Sequence, residues 1–407
     1  MKQFEIISPR FVGMAIAVCA LFLTSAASSD EVKFNSEKLN QIPQRLQKFV
    51  DDRVISGAVA LVADKDSILF SCSVGYSDIQ TYRKMRKDDL FWIASMTKPI
   101  TATAVMMLAD EGKINIDDSV EKYLPEFKNQ WMIQEKTNDK LTLVKPSRPI
   151  TLRDLLTHTS GLNDLTPPRA HCSLAELVMA YSQLPLKFPP GSRWEYSNSG
   201  INTLGRIVEV VSDKPYSEFL QERIFKPLGM KNTTFWLSKA QVSRVAKSYE
   251  PDTAAGGLKE TTVYFIQGDL TDKSRTPFPA GGLFSTAEDI CKFYQMVLNK
   301  GVYRGKRILS ESAIDQMTKT QTGDLKTGFT DGMSFGLGFA VVKEPQGVTG
   351  MLSKGTFGHG GAYGTQSWAD PQKGVIYILM IQRAKLPNAD ASDIRKAFQQ
   401  AAAAAFE

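Results

Sequence analysis

The segments with strand-forming patterns lie near the two ends of the chain, and this placement constrains the fold more than any other feature. Residues 57–64 (GAVALVAD) and 67–75 (SILFSCSVG) are apolar runs around a short turn, as in a β-hairpin. Residues 335–343, 363–369 and 374–382 have the same character near the C-terminus. We predict that these strands, although distant in sequence, share one largely antiparallel sheet.

The rest of the chain is mostly helical by pattern. Apolar residues at helical spacing predict six segments: 36–53, 95–111, 151–185, 199–229, 285–299 and 390–406. Ser285 to Glu288 form a capping box at the start of one of them, and residues 130–150 read as a small surface hairpin. The fold class is therefore α/β of the α+β type, an antiparallel β-sheet flanked by helices with a mostly helical second lobe. A cleft between the lobes is where chemistry is expected.

The first residues have the pattern of a secretory signal peptide. Lys2 and Arg10 give a positive start, residues 11–23 form an apolar run, and Ser25-Ala26-Ala27 offers small residues for cleavage. We predict a signal peptide over 1–27 and export to the periplasm or the extracellular space. The alternative is an uncleaved anchor, because the run approaches the shortest length that spans a bilayer.

The mature chain is long enough for one large catalytic domain, predicted over residues 30–407. Its sheet lobe would comprise about 36–94 and 265–407, and its helical lobe about 95–264. Because 43% of the 407 residues are hydrophobic, the core can be large, and neither disulfides nor metals are needed to stabilise it.

Charge, cysteine and histidine usage argue against several function classes. The chain has 49 Lys and Arg residues against 43 Asp and Glu residues, and the cations are scattered, which argues against a nucleic-acid partner. Cys72, Cys172 and Cys291 form no C-x-x-C pair and allow at most one disulfide. The three histidines are far apart without an H-E-x-x-H motif, so we expect no metal and no cofactor. His158 is interpreted as a residue that fixes a loop.

The stretch Ser95-Met96-Thr97-Lys98 opens an apolar, helix-like segment. On a helix, residues three apart share a face, so Ser95 and Lys98 point the same way. A buried lysine can serve as a base for the serine hydroxyl, and a helix N-terminus offers donors for negative charge. The alternative is a solvated surface lysine, because S-x-x-K arises by chance in most long chains.

Two further short motifs carry polar groups with comparable ambiguity. Tyr196-Ser197-Asn198 offers a proton carrier and a substrate clamp, or else an exposed loop in which Asn198 or Ser199 caps the next helix. Residues 357–363 (FGHGGAY) place His359 among glycines that let a backbone approach a ligand. The alternative for this segment is a tight hairpin entrance.

A competing serine occurs in Gly332-Met333-Ser334-Phe335-Gly336, which matches the G-x-S-x-G elbow. That elbow needs a strand, a sharp turn and then a helix. Residues 337–343 look like a strand instead, and the only downstream partners for a triad are Glu344 and His359. We therefore predict that Ser334 is not a nucleophile.

The order SMTK, YSN and HGG resembles the serine β-lactamase and penicillin-binding protein superfamily. More closely it resembles the class C β-lactamase-related hydrolases, whose second motif is Tyr-x-Asn. Four further stretches are similar to that family: 111–127 (EGKINIDDSVEKYLPEF), 148–162 (RPITLRDLLTHTSGL), 189–200 (PPGSRWEYSNSG) and 279–290 (PAGGLFSTAEDI). The resemblance covers roughly residues 38–400 and implies a β-lactamase/transpeptidase-like fold and a serine hydrolase that works through an acyl-enzyme.

The resemblance also implies residue roles in this sequence. Ser95 would be the acylated nucleophile, and Lys98 would share its proton. Tyr196 would carry protons for the leaving group and for deacylation. Asn198 would hold the amide or ester side of the substrate. These roles agree with the chemistry expected of a nucleophile at a helix start beside a base.

The third motif, His359-Gly360-Gly361, would line the end of the cleft on an edge strand and contact substrate. The backbone N–H groups of Ser95 and Ala362 would form the oxyanion hole. Class C β-lactamases commonly carry Lys-Thr-Gly at this motif, and a histidine is mostly neutral at pH 7. A β-lactam carboxylate would therefore lack its usual anchor, which leaves room for esters or D-amino-acid peptides.

These observations predict an exported serine hydrolase that forms an ester on Ser95 and cleaves an ester or amide. Its partner would be a small-molecule or peptide acyl substrate, with no nucleic acid and no stable membrane span after leader cleavage. One alternative is a true class C-like β-lactamase or D-Ala-D-Ala carboxypeptidase. A second, non-enzymatic alternative is a penicillin-binding sensor or a scaffold with slow deacylation.

Overall fold

A computed structural model of the chain describes residues 1–3, 5, 33–165, 170–263, 266 and 268–406. Residues 33–407 form one compact unit. The cleavage site and apolar run of the predicted signal peptide lie outside the described residues. Among the residues that are described, no helix combines the length and the apolar character needed to cross a membrane.

The strands are short except for the first two and the last. They are β1 (Gly57–Asp64), β2 (Ile68–Asp78), β3 (Arg83–Lys84), β4 (Phe91–Trp92), β5 (Met132–Lys136), β6 (Leu141–Val144), β7 (Ser248–Pro251), β8 (Leu258–Thr261), β9 (Phe284–Ser285), β10 (Val302–Tyr303), β11 (Lys306–Arg307), β12 (Met333–Phe335), β13 (Ala340–Val342), β14 (Phe357–Gly360), β15 (Gln366–Asp370) and β16 (Val375–Met380).

The helices cluster in the middle of the chain and at its two ends. They are α1 (Ser36–Leu39), α2 (Ile42–Asp51), α3 (Thr97–Asp110), α4 (Leu152–Leu156), α5 (Leu174–Ser182), α6 (Asn198–Ser212), α7 (Tyr216–Leu220), α8 (Lys226–Leu228), α9 (Lys239–Val242), α10 (Ala287–Leu298), α11 (Glu311–Thr318) and α12 (Asp393–Ala403). Short 3-10 turns and one π-helical turn, Gln221–Phe225, join them.

The central sheet joins the two ends of the chain, which confirms the prediction from the strand patterns. Its order is β12-β13-β14-β15-β16-β1-β2-β3, and the neighbouring strands are antiparallel. Both β1 and β16 are buried along their whole length, because their apolar and β-branched side chains are covered on both faces. Helix α10 packs against β1, β15 and β16, while α12 packs against α2 and β16.

The predicted surface hairpin at 130–150 is present as β5 and β6, which pair only with each other among the named strands. The predicted strand over 335–343 is wrong in its middle. It divides into β12 and β13 because the chain turns at Gly336 and Gly338. A Cβ on Gly336 would lie 2.0 Å from the Met317 carbonyl oxygen, and Gly338 has φ of +79°, a conformation that favours glycine.

Helix boundaries differ from the predictions where a cap or a left-handed residue intervenes. Helix α4 ends at Leu156. The sequence pattern predicts that residues 157–165 continue the helix, but they are not helical, because His158 (φ +60°) and Gly161 (φ +75°) have left-handed backbone angles. The cap of α10 is Thr286, one residue after the predicted Ser285, and it accepts a hydrogen bond from the Asp289 N–H.

Candidate active site

Ser95 lies on a 3-10 turn, Ala94–Met96, that leads directly into α3. Ala94 has φ of +46°, a strained conformation for a residue with a side chain. The Thr97 hydroxyl donates a hydrogen bond to the Ala94 carbonyl oxygen at 2.7 Å, which holds this turn. Ser95 therefore sits at the N-terminal end of a buried helix, with Lys98 one turn later.

The Lys98 side chain is fully buried, and its amine contacts three oxygen atoms. The distances from Nζ are 3.1 Å to Ser95 Oγ, 2.9 Å to Asn198 Oδ1 and 2.7 Å to the Ala280 carbonyl oxygen. Burial lowers the pKa of Lys98 to about 7, against the opposing effect of the Asp164 carboxylate. A neutral amine has two hydrogens and one lone pair. The two hydrogens can serve Asn198 and Ala280, and the lone pair then faces the Ser95 hydroxyl.

Tyr196 approaches the same two residues from the helical middle of the chain. The Ser95 side chain acts on its hydroxyl and tends to lower the pKa of Tyr196, and Lys98 Nζ lies 4.6 Å from the centroid of the Tyr196 ring. Burial raises the pKa of Tyr196 far above its ordinary value, and the carboxylates of Asp390 and Asp164 add to this effect. The side chain is therefore a phenol, a proton donor rather than a phenolate, near neutral pH.

The start of α6 positions the second motif. The cap is Ser197, not Asn198 or Ser199 as the sequence suggested, and its hydroxyl accepts from the Gly200 N–H. His158 Nδ1 accepts from the Ser197 N–H at 3.2 Å, so His158 fixes this loop as predicted. The carboxylate of Asp164 accepts from the Ser199 N–H at 2.7 Å. Because Ser197 caps the helix, the side chain of Asn198, the first helical residue, is available to accept a hydrogen bond from Lys98.

The third motif lies on β14 and the turn that follows it. The predicted edge strand is wrong, because β14 pairs with β13 on one side and β15 on the other. Gly361 permits a close approach, because a Cβ there would lie 2.7 Å from the Ile93 carbonyl oxygen and 3.4 Å from Ala94 Cβ. The turn from Gly361 to Gly364 is closed by a 2.9 Å backbone hydrogen bond and carries Ala362. Within the described part of the chain, the Ala362 N–H has no hydrogen-bond partner. This segment therefore packs against the residues that precede Ser95.

His359 is buried, and its hydrogen bonding defines its tautomer. Nδ1 lies 2.7 Å from the Gly360 carbonyl oxygen, which can only accept, so Nδ1 carries the proton and Nε2 is a bare acceptor. Nε2 has no partner among the described residues. Burial first, and then the nearby charge of Lys98, lower the pKa of His359 to about 3. The position is therefore uncharged at neutral pH.

Aromatic rings surround Tyr196. Its ring centroid lies 4.6 Å from that of His158, 5.0 Å from that of Phe329 and 6.1 Å from that of His359. Trp194 packs against Phe329 at 5.8 Å, and Phe329 is exposed. This side of the site is apolar, with Phe329 at its solvent boundary.

Comparison with known proteins gives the family of this chain. The Beta-lactamase family model matches residues 42–402. The chain belongs to the β-lactamase family. As a member of this family it is a serine hydrolase with the β-lactamase/transpeptidase fold, which confirms the predicted superfamily, fold class and enzyme class.

Three of the similar proteins illustrate the family's range. Protein Rv1367c of Mycobacterium tuberculosis is 33% identical over 373 residues, covering 85% of this chain and 90% of that protein. Esterase EstB of Burkholderia gladioli is 28% identical over 394 residues, covering 88% and 95%. The structure of EstCE1, a hydrolase with promiscuous acyltransferase activity, has a TM-score of 0.74 at 24% identity, covering 90% and 98%. Other relatives are named carboxypeptidase, amidase and lovastatin esterase.

The structure brings the three motifs of this β-lactamase-family chain together and leaves the competing serine outside. Ser334 is buried in β12, and its hydroxyl lies 3.0 Å from the Thr322 hydroxyl. Strand β13, not a helix, comes next among the regular elements, so the elbow context is missing as predicted.

Sequence reasoning missed two groups around Lys98. Ala280 supplies a carbonyl oxygen, and Asp164 supplies a carboxylate. Residues 279–290, which contain Ala280, resemble the family in sequence, but nothing in the sequence indicated that the Ala280 carbonyl contacts Lys98. Asp164 belongs to no recognisable motif. Its effect on Lys98 arises only because the fold places it beside the start of α6.

The side chains that could bind a metal ion are dispersed over the described part of the chain. Within the described residues, no group of three or more His, Cys, Asp or Glu side chains is arranged to hold a metal ion. No disulfide joins Cys72, Cys172 and Cys291, which are all described residues, and this answers the open question of a bridge among them. His171 is on the surface and lies 3.2 Å from the Ser274 hydroxyl.

Proposed function

We propose that this chain hydrolyses an ester through a covalent acyl intermediate on Ser95. The observation that carries the proposal is the environment of Lys98. Its amine is desolvated until its pKa approaches neutrality, its hydrogens are engaged by two acceptors, and its remaining lone pair faces Ser95 Oγ at 3.1 Å. A serine hydroxyl needs such a base to attack a carbonyl carbon.

Acylation follows from these positions. Lys98 takes the Ser95 hydroxyl proton as Oγ bonds to the substrate carbonyl carbon, whose oxygen becomes an oxyanion. The N–H groups of Ser95 and Ala362 stabilise that charge. When the bond to the alcohol breaks, the Tyr196 hydroxyl protonates the departing oxygen, and the proton on Lys98 replaces the one that Tyr196 gave. The enzyme is then neutral at both residues and acylated on Ser95.

Deacylation repeats the steps with water as the nucleophile. A water molecule attacks the Ser95 ester and loses a proton to the neutral Lys98 amine, which lies 3.1 Å from Ser95 Oγ, with the Tyr196 hydroxyl as the proposed relay for that proton. Collapse of the second tetrahedral intermediate releases the carboxylic acid and returns the proton to Ser95 Oγ. Asn198 stays bound to Lys98 in the free enzyme and is proposed to contact substrate.

The charges around the site favour an uncharged substrate. His359 is neutral, with an acceptor at Nε2, and together with Gly360 and Gly361 we propose that it contacts substrate. The carboxylates of Asp164 and Asp390 both act on Tyr196, and the cation beside Asp390, Arg395, is already paired with it at 3.9 Å. The third motif itself therefore presents a neutral acceptor rather than a cation to a substrate carboxylate. A neutral ester suits this site better than a β-lactam or a D-Ala-D-Ala peptide, and Esterase EstB is among the relatives.

We also propose that the chain is exported through a leader over residues 1–27. The leader rests on its sequence pattern alone. We keep the division of residues 30–407 into a sheet lobe and a helical lobe as part of this proposal. Ser95 and Tyr196 would then meet the third motif at the boundary between the lobes, where ligands commonly bind.

A panel of uncharged aryl esters, read by release of the phenol and by intact-protein mass, tests the activity. We expect hydrolysis by the wild type and a transient mass increase equal to one acyl group. Ser95→Ala should lower kcat/KM by at least about 10⁴-fold and abolish the adduct. Ser334→Ala is the matched control and should retain activity. Loss of activity in Ser334→Ala with retention in Ser95→Ala would refute the site.

The same mass measurement with a penicillin tests the alternatives. A lasting adduct that forms only when Ser95 is present would favour a penicillin-binding sensor. Rapid turnover of the drug would favour a true β-lactamase. If neither occurs while esters are hydrolysed, the esterase proposal stands.

A further inference from the structure

The hairpin formed by β5 and β6 has one face that turns away from the protein. Its register pairs Ile133 with Leu143 and Lys136 with Leu141, so these four residues share a face. The opposite face is directed at the body of the molecule, because Met132 packs against the main core and the Thr142 hydroxyl is buried.

The outward face is apolar although it meets solvent. Leu141 is 53% exposed and Leu143 is 36% exposed, and Trp131, just before β5, is 49% exposed. These three large side chains belong to one hairpin of fewer than 20 residues. Isolated surface hydrophobics need no explanation, but a group on one small element marks an interaction surface.

The charges around this face are mainly positive. Residues 128–145 contain four lysines and two carboxylates, which gives a net charge of +2. One of those carboxylates, Glu135, pairs with Lys140 at 3.1 Å. The amine of Lys145 lies 3.7 Å from the Trp131 ring centroid, so cation and aromatic ring are presented together.

We propose that the β5–β6 hairpin docks the protein on a lipid surface that carries anionic headgroups. Tryptophan prefers the boundary between headgroups and acyl chains, and leucine prefers the acyl chains themselves. Lysine side chains can reach the phosphates while their methylene stems stay in apolar surroundings. The net positive charge of the hairpin is complementary to an anionic bilayer. Segments that bind at membrane interfaces commonly combine basic residues with exposed tryptophan and leucine in this way.

The hairpin is also joined to the active-site loop. The Ile133 N–H donates to the Leu186 carbonyl oxygen at 2.8 Å. The next residue, Lys187, forms a 2.6 Å ion pair with Glu195, which directly precedes Tyr196. Docking through this hairpin would therefore hold the second-motif segment at the lipid surface.

Binding of the full chain to vesicles tests the proposal. Phosphatidylcholine vesicles with and without 30 mol%, roughly a third, of phosphatidylglycerol would be compared by co-sedimentation. We expect the double variant Leu141→Ser and Leu143→Ser to bind anionic vesicles about tenfold more weakly than the wild type. The matched control is Val210→Ser with Val242→Ser, two exposed apolar residues elsewhere, and it should bind like the wild type.

A local readout separates the hairpin from any contribution of the N-terminal segment. Bromine-labelled acyl chains quench tryptophans that enter the bilayer, and the change Trp131→Phe should remove most of that quenching. Equal binding by the hairpin and control variants, or equal quenching with and without Trp131, would overturn the proposal. Self-association that only the hairpin variants abolish would assign the face to a second copy of the chain instead.

Discussion

At the scale of single residues, the proposed chemistry depends on the protonation of Lys98. Only the neutral amine can accept the Ser95 proton, and burial brings its pKa to about 7. We therefore expect kcat/KM for a neutral ester to rise with pH through about 7 and to level off above it. Below that pH, activity should fall about tenfold per unit. The measurement is a pH profile from 5 to 9.

Neither histidine of the site nor Tyr196 titrates in that range, and a Lys98 variant separates Lys98 from Asp390, whose pKa burial raises. The pKa of His359 is lowered to about 3, that of His158 is also far below its ordinary value, and that of Tyr196 is far above it. Lys98→Arg places a permanent cation at the site; its kcat/KM should lie about 10³-fold below the wild-type plateau above pH 7 and should show no inflection near 7. An inflection near 7 that persists in this variant would contradict the role of Lys98.

The second residue-scale prediction concerns His359. A lysine at this position would add a cation where the structure has a neutral acceptor. His359→Lys should raise kcat/KM for a carboxylate-bearing ester, relative to an uncharged ester of equal size, by about tenfold. It should also shift the inflection of the pH profile to lower pH, because a second cation lowers the pKa of Lys98 further.

His359→Gln is the control, since it keeps the site uncharged. Its ratio between the two esters and its pH inflection should match those of the wild type, whatever its absolute rate. If the lysine variant shows the wild-type ratio as well, position 359 does not face the substrate.

At the scale of elements, the site depends on how closely β14 approaches the turn before α3. Gly361→Ala would put a Cβ 2.7 Å from the Ile93 carbonyl oxygen and 2.1 Å from the Thr365 hydroxyl. The strand end must then move away from Ser95 and carry Ala362 with it. A displacement of about 1 Å can cost about 100-fold in rate, and we expect a loss of that size in the rate of acylation, measured by stopped-flow.

Gly350→Ala serves as the comparison for this prediction, because Gly350 has right-handed backbone angles and its nearest neighbour would be 3.5 Å from the new Cβ. It should acylate at the wild-type rate. A Gly361→Ala protein that folds and acylates within twofold of wild type would show that the close approach does not serve the oxyanion hole.

The sequence predicted these elements unevenly, and the reasons are local. Helix α3 was visible as a long apolar run closed by Gly112, and the hairpin of β5 and β6 as two strand-like runs around residues 137–140. The helical pattern across 157–165 failed because His158 and Gly161 adopt positive φ, which hydrophobic spacing does not report. In the site, the three motifs were visible because their residue types are chemically distinctive. The Ala280 carbonyl was not, because any residue can supply one.

At the scale of the whole molecule, the site depends on contacts between distant parts of the chain. Ser95 follows β4, Tyr196 precedes α6, and His359 lies on β14. Strand β16 pairs with β1 on one side and β15 on the other, so it connects the C-terminal strands to the N-terminal hairpin. Folding this sheet requires contacts between residues that are far apart in sequence. Because the same contacts bring the site residues together, we expect unfolding to abolish secondary structure and activity together.

Ile378 lies at the centre of that connection, fully buried and paired with Leu61 and Ser367. Ile378→Ala should lower the free energy of unfolding by about 2–5 kcal/mol, because it leaves a cavity in the sheet core. Circular dichroism and esterase activity, followed through urea unfolding, should shift to the same lower midpoint. The exposed Ile68→Ala should change stability by less than about 0.5 kcal/mol. If activity were lost at a much lower urea concentration than secondary structure, the active site would unfold locally while the sheet remained folded, which would contradict this prediction.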